Sequence, residues 1–82
     1  MIVIDEITNG QVIKFFRLMR EVKPEDLSSP EYATLVVSSA IETGIITGGT
    51  VEQLDGMRTG SVVTLSGKVN KALVECMTPD PN

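Results

Sequence analysis

Four clusters of helix-breaking residues set the limits within which this chain folds: Thr8-Asn9-Gly10, Lys23 to Pro30, Gly44 to Thr50, and Asp55 to Gly60. Gly, Pro and small polar residues of this kind punctuate regular structure. Between the clusters lie three stretches whose apolar residues recur with helical period. The expected fold is therefore all-α: a small bundle of three main helices plus one short helical turn, with an extended N-terminal arm over residues 1–8. At 82 residues the chain has room for one such domain, spanning 1–82.

The first stretch covers residues 9–22. Thr8 and Gln11 have the spacing of a capping box, in which each side chain satisfies a free amide of the first turn. At 100° per residue, Val12, Phe15, Phe16, Leu18, Met19 and Val22 fall within an arc of about 160°. Lys14, Arg17 and Arg20 fall opposite. Pro24 forbids a helical conformation to the residue before it and so ends the helix.

Ser29-Pro30-Glu31 opens the second stretch, with Ser29 as N-cap and Pro30 at the first helical position. Thr43 closes it and Gly44 is its stop. Tyr32, Ala33, Val36, Val37, Ala40 and Ile41 cover nearly half of the wheel, Leu35 widens it, and Thr34, Ser38 and Glu42 make the polar stripe. A helix this apolar is expected at the centre, buried on most sides. Ile45-Ile46 then fits either a short strand or an apolar plug, and Thr50 caps a helical turn over Val51 to Leu54.

The third stretch runs from Thr59 or Gly60 to Cys76. Val62, Leu65, Val69, Ala72, Leu73 and Cys76 share an arc of about 100°, with Thr64, Lys68, Lys71 and Glu75 opposite. Gly67 lies on the flank, where it lowers helix propensity and is expected to admit a close neighbour. Residues 77–82, with Pro79 and Pro81, are expected to fray. Ile2-Val3-Ile4 fits two descriptions: a strand whose one evident partner is Ile45-Ile46, or an extended apolar arm packed on the bundle or on another subunit.

Composition removes most chemistry. The chain has no His, one Cys and no Trp, and its aromatics are Phe15, Phe16 and Tyr32. Imidazole acid–base schemes, His-ligated metals, internal disulfides and Cys-pair redox sites all need residues that are missing. Cys76 has no His to activate it and reads as a small apolar core residue. The loop from Gly44 to Thr50 lacks the Lys and the spacing of a phosphate-binding loop. Asp5-Glu6 and Glu25-Asp26 are adjacent carboxylates of the solvated kind, without the convergence of a glycosidase or metal site. No catalytic residue, metal or cofactor is expected, and the chain does not read as an enzyme.

The N-terminal Met1-Ile2-Val3-Ile4-Asp5-Glu6 has no basic region and does not read as a signal peptide. No apolar run approaches the roughly 18 residues needed to cross a bilayer. With the missing disulfides, a reducing cytoplasm is the expected setting and a membrane is not an expected partner.

Seven Lys+Arg against eleven Asp+Glu give a net charge of -4. Nucleic-acid binders usually carry a basic footprint, so DNA and RNA are disfavoured partners. Lys14, Arg17 and Arg20 form the one possible basic patch, either a solvated helix face or a contact for an acidic partner. The segment from Glu52 to Leu73 invites a helix-turn-helix reading. Aligning Gly60 with the turn glycine, however, puts Ser66 where an apolar core residue is needed, and Lys68 and Lys71 alone remain for phosphates. Phe15, Phe16, Met19, Ile45, Ile46 and Met57 are large for so short a chain. Either all serve the core, or some form a partner groove or an oligomer seam.

The order of parts adds a likeness. A capped helix containing "GQVIKFFRLM" is followed by a Pro-containing gap and a broad apolar helix. A Thr-Gly-Gly-Thr-Val-Glu-Gln-Leu-Asp-Gly-Met turn then leads into Gly-Ser-Val-Val-Thr-Leu-Ser-Gly-Lys-Val-Asn-Lys-Ala-Leu. From about Pro30 to Leu73 this pattern resembles the small phage and prophage tail assembly proteins of the tail assembly chaperone type. A Trp often stands near the end of the middle helix in that group, where this chain has Gly44-Ile45, and this chain is shorter. The resemblance implies an all-α protein in the cytoplasm of a bacterial host cell. It implies self-association and a non-enzymatic role: binding the tape-measure protein, or another tail protein, and keeping it soluble during tail-tube assembly. The residues expected to meet such an apolar helical partner are Phe16, Met19, Ile45 and Ile46. The competing expectations are a small structural or adaptor protein of the virion and a small DNA-binding regulator.

Overall fold

In the computed structural model, which describes residues 3–4, 6–22 and 24–79, the first helix begins where its cap sits. Helix α1 spans Asn9–Arg20. The Thr8 amide donates to Gln11 Oε1 at 2.9 Å, and the Gln11 amide donates to Thr8 Oγ1 at 3.3 Å. Two of the free amides at this end are thereby satisfied by neighbouring side chains. The helix ends two residues short of Val22, ahead of a 3-10 turn at Pro24–Asp26.

Helix α2 spans Ser29–Glu42 and its N-cap is Ser28, one residue before the expected Ser29. The reason is the partner three residues on. Ser28 Oγ donates to Glu31 Oε1 at 2.8 Å, and the Glu31 amide donates back to Ser28 Oγ at 3.4 Å. A cap at Ser29 would look to Tyr32, which cannot return the bond. The other end follows expectation: Thr43 caps, with its hydroxyl donating to the Ser39 carbonyl at 2.9 Å. Gly44 then turns the chain with a φ of 80°, a conformation that costs most side chains free energy.

That turn delivers Ile45 and Ile46 into the core, 0% and 2% exposed. Strand β1, Val3–Ile4, pairs antiparallel with strand β2, Ile46–Thr47, in the register Val3 to Thr47 and Ile4 to Ile46. The arm is thus a strand at Val3–Ile4, and Ile45 is the apolar plug beside it. Ile2 lies outside the described residues. A 3-10 helix follows at Val51–Gly56, two residues longer than the expected turn, with the Thr50 amide donating to Gln53 Oε1 at 3.0 Å. Its Leu54 is buried.

Helix α3, Thr59–Met77, is the longest element. Its buried residues are Val62, Ser66, Val69 and Leu73. This stripe is rotated by about 40° from the expected one, on the wheel of 100° per residue. The rotation brings Ser66 inward, leaves Leu65 and Ala72 partly buried, and puts Cys76 on the exposed side. Cys76 is therefore a surface residue and not part of the core. Ser66 is tolerated in the core because its hydroxyl donates to the Val63 carbonyl at 2.8 Å, which leaves no buried polar atom unpaired. Gly67 does not serve close approach: a Cβ there would meet nothing within 4 Å. Met77 belongs to the helix rather than to a frayed tail. Thr78 caps it, with its hydroxyl donating to the Val74 carbonyl at 2.9 Å. Asp80 to Asn82 lie outside the described residues.

The architecture is all-α apart from the two-residue strand pair. Helix α2 is central, as its breadth of apolar surface requires, with Ala33, Val36, Val37, Ser39 and Ala40 all buried. Helix α3 packs closely along it and α1 more lightly. The molecule measures 43 × 31 × 18 Å. Its short dimension is about two helix diameters, so the three helices form a thin slab. Helices α1 and α3 both rest on α2, and a furrow is left between them. No helix among the described residues is long and apolar enough to cross a membrane.

Candidate docking groove

The furrow starts from two adjacent aromatics. Consecutive residues on a helix point about 100° apart, and α1, unlike the central α2, is seated along one side only, so Phe15 and Phe16 divide between core and surface. Phe15 does, at 2% exposure, and Phe16 remains on the shoulder at 37%. Their rings meet edge to face, with centroids 5.5 Å apart and an interplanar angle of 81°. This is the favoured aromatic geometry, and it fixes the Phe16 ring against the buried one.

From this shoulder a groove of about 710 Å³ opens toward α3. Helix α1 contributes Phe16, Met19 and Arg20 to one wall, above Phe15. The C-terminal half of α3 contributes Asn70, Leu73, Val74 and Met77 to the other. Tyr32, from the first turns of α2, and Val22 and Glu25, from the connection, complete the lining. Among the described large apolar residues that stay exposed, Phe16, Tyr32, Val74 and Met77 all line this one groove. Single exposed apolar residues are ordinary, whereas a cluster drawn from three helices is not.

The structure divides the residues expected to bind a partner. Phe16 and Met19 line the groove. Ile45 and Ile46 do not contribute, because the Gly44 turn and the β1–β2 pair place both in the core. A surface that includes them is ruled out in this fold. The expected basic patch is divided as well. Lys14, Arg17 and Arg20 are all exposed. Lys14 and Arg17 border a shallow hollow with Leu18, Glu42 and Thr43, where α2 ends. The carboxylate of Glu42 and the carbonyl end of α2 make that a favourable place for cations. Arg20 instead stands at the groove.

Tyr32, Val74 and Met77 were not among the expected partner residues. A signal for two of them exists in α3. Val63, Gly67, Asn70, Val74 and Met77 are spaced 4, 3, 4 and 3 residues apart, an outer stripe running beside the buried stripe. Val63, Val74 and Met77 are 45%, 63% and 47% exposed. Tyr32 carries no such signal, since on the wheel it belongs with the buried face of α2.

The groove offers apolar surface with a few polar groups in its lining, Arg20, Glu25, Asn70 and the Tyr32 hydroxyl. That suits an apolar surface edged by polar contacts, such as an amphipathic helix laid between α1 and α3. Among the described residues, no group of three or more His, Cys, Asp or Glu side chains converges as a metal site would. A helix-turn-helix tolerates Ser66 better than its polarity suggests. Ser66 does occupy a core position, so its polarity is no obstacle. Glu52 and Asp55 make the 3-10 helix preceding α3 acidic, which disfavours phosphate contacts from that element. Comparisons with protein-family models, with curated proteins and with solved structures find no match.

Proposed function

We propose that this chain is a non-enzymatic, chaperone-like assembly protein that holds an apolar helix of a client protein in the groove between α1 and α3. The observation that carries this reading is the convergence of exposed Phe16, Tyr32, Val74 and Met77 on one furrow. Held at such a site, a client helix loses the apolar surface through which it would aggregate. The likeness of Pro30 to Leu73 to tail assembly chaperones supplies the setting: a phage or prophage tail, the host cytoplasm, and a tape-measure or other tail protein as client. Self-association through the same surface belongs to that reading too.

The test is co-expression with a phage tape-measure protein, scored by the client's solubility and by co-elution on size exclusion. Wild type is expected to keep the client soluble. Val74→Asp places a carboxylate in the groove at a residue that is 63% exposed, so the variant is expected to fold and to lose the complex. The reading fails if no complex forms at tens of micromolar, or if Val74→Asp and a Phe16→Asp variant that remains folded both bind as wild type does.

A further inference from the structure

We infer that the groove selects a client helix with basic residues along one flank, at the end where the chain runs from α1 to α2. The inference rests on the groove reading above. Two hollows meet at Val22: the groove itself, which Glu25 lines, and a shallower hollow on the outer side of α2, which Glu31 lines. Glu21 directly follows α1 and precedes Val22, and Asp26 directly follows Glu25; both are exposed. Over residues 20–31 the sequence places four carboxylates, Glu21, Glu25, Asp26 and Glu31, against two cations, Arg20 and Lys23. Half of the chain's net charge of -4 is therefore gathered in this one connection. Arg20, at the groove, is already counted in that sum, and the other two cations of α1 do not offset the rest, because Lys14 and Arg17 stand at the far hollow beside Glu42. Nor does α3, whose groove-lining residues, Asn70, Leu73, Val74 and Met77, are uncharged.

The physical consequence is directional. The apolar walls bind either end of an amphipathic helix, and the acidic end favours the arrangement that brings Lys or Arg to it. Exposed pairs of this kind contribute little each and are screened by salt. Their role is to set partner choice and orientation rather than to hold the complex.

The experiment uses the full chain and two synthetic amphipathic helices of about 18 residues, with one Leu stripe in common and with either Lys or Glu on the flanks. Fluorescence anisotropy reads the affinities. The Lys peptide is expected to bind about three- to tenfold more tightly at low salt, with the difference fading near 0.5 M. Glu25→Lys with Asp26→Lys should erase the preference. Glu52→Lys with Asp55→Lys makes the same change in net charge away from the groove and should preserve it. Equal binding, tighter binding of the Glu peptide, or loss of preference in the Glu52/Asp55 variant would overturn this inference and leave the groove reading standing. If neither peptide binds, both fall together.

Discussion

Phe15 and Phe16 are neighbours in sequence with opposite duties, and truncating each in turn separates core from groove. Phe15→Ala removes a side chain that is 2% exposed. Its cost is that of a large core cavity, about 3–5 kcal/mol. An 82-residue domain has a total stability of about 4–12 kcal/mol, so this variant should lose at least about a quarter of it and unfold at a clearly lower urea concentration. Phe16 is 37% exposed, and only the covered part of its ring contributes. Scaling the value for full burial gives a loss of about 1–2 kcal/mol on Phe16→Ala, to which the edge-to-face contact adds about 0.5–1 kcal/mol. Urea melts followed by circular dichroism measure both. Client binding by folded Phe16→Ala should fall by more than its stability loss explains, because the same ring lines the groove. Equal stability losses at the two positions would refute this division of the helix. So would full client binding by Phe16→Ala.

Two glycines should respond in opposite directions. Gly67→Ala meets open space in the interior of α3 and should stabilise by up to about 1 kcal/mol in thermal melts. Gly44→Ala must hold a φ of 80° and would bring its Cβ to 3.2 Å from Gln11 Nε2; it should cost about 1–2 kcal/mol. The two serines before α2 differ likewise. Ser28→Ala breaks the capping box and should cost about 1 kcal/mol, while Ser29→Ala, already helical, should change stability by less than about 0.5 kcal/mol; matched urea midpoints for the two would contradict the cap assignment.

What could be read in advance was local. The Thr8–Gln11 box, the Thr43–Gly44 stop and the breadth of α2 depend on residues within a turn or two of one another, and all three appear in the fold. The misplacements came from contacts between distant segments. On a wheel, Cys76 and Ser66 are told apart by polarity, and the apolar one is assigned inward. The structure decides instead by where α2 lies, and a single hydroxyl bond to Val63 removes the objection to Ser66. Ile45 and Ile46 looked available because nothing nearby in sequence covers them. Their cover comes from remote segments, the backbone of the strand at Val3–Ile4, the Ile4 side chain and the central helix. The groove was legible on its α1 wall, through Phe16 and Met19. Its α3 wall is the outer stripe, which looks like a solvent face until α1 and α3 are seen to rest side by side on α2.

The light seating of α1 has a consequence for how the molecule opens. Protection of backbone amides against exchange with solvent deuterium follows the free energy of the least costly opening that frees them. Helix α2 is clasped on most sides and α3 runs closely along it, so their central amides should be released only by global unfolding. Helix α1 is held by Phe15, by its partly buried Val12 and Met19, and by the connections at its ends. Its amides should exchange through a cheaper, partial detachment. Because Phe16 and Met19 ride on this helix, such a detachment would open the groove from its α1 side and leave the α3 wall in place on the central helix, and under the proposed function that is the wall expected to yield to a bulkier client.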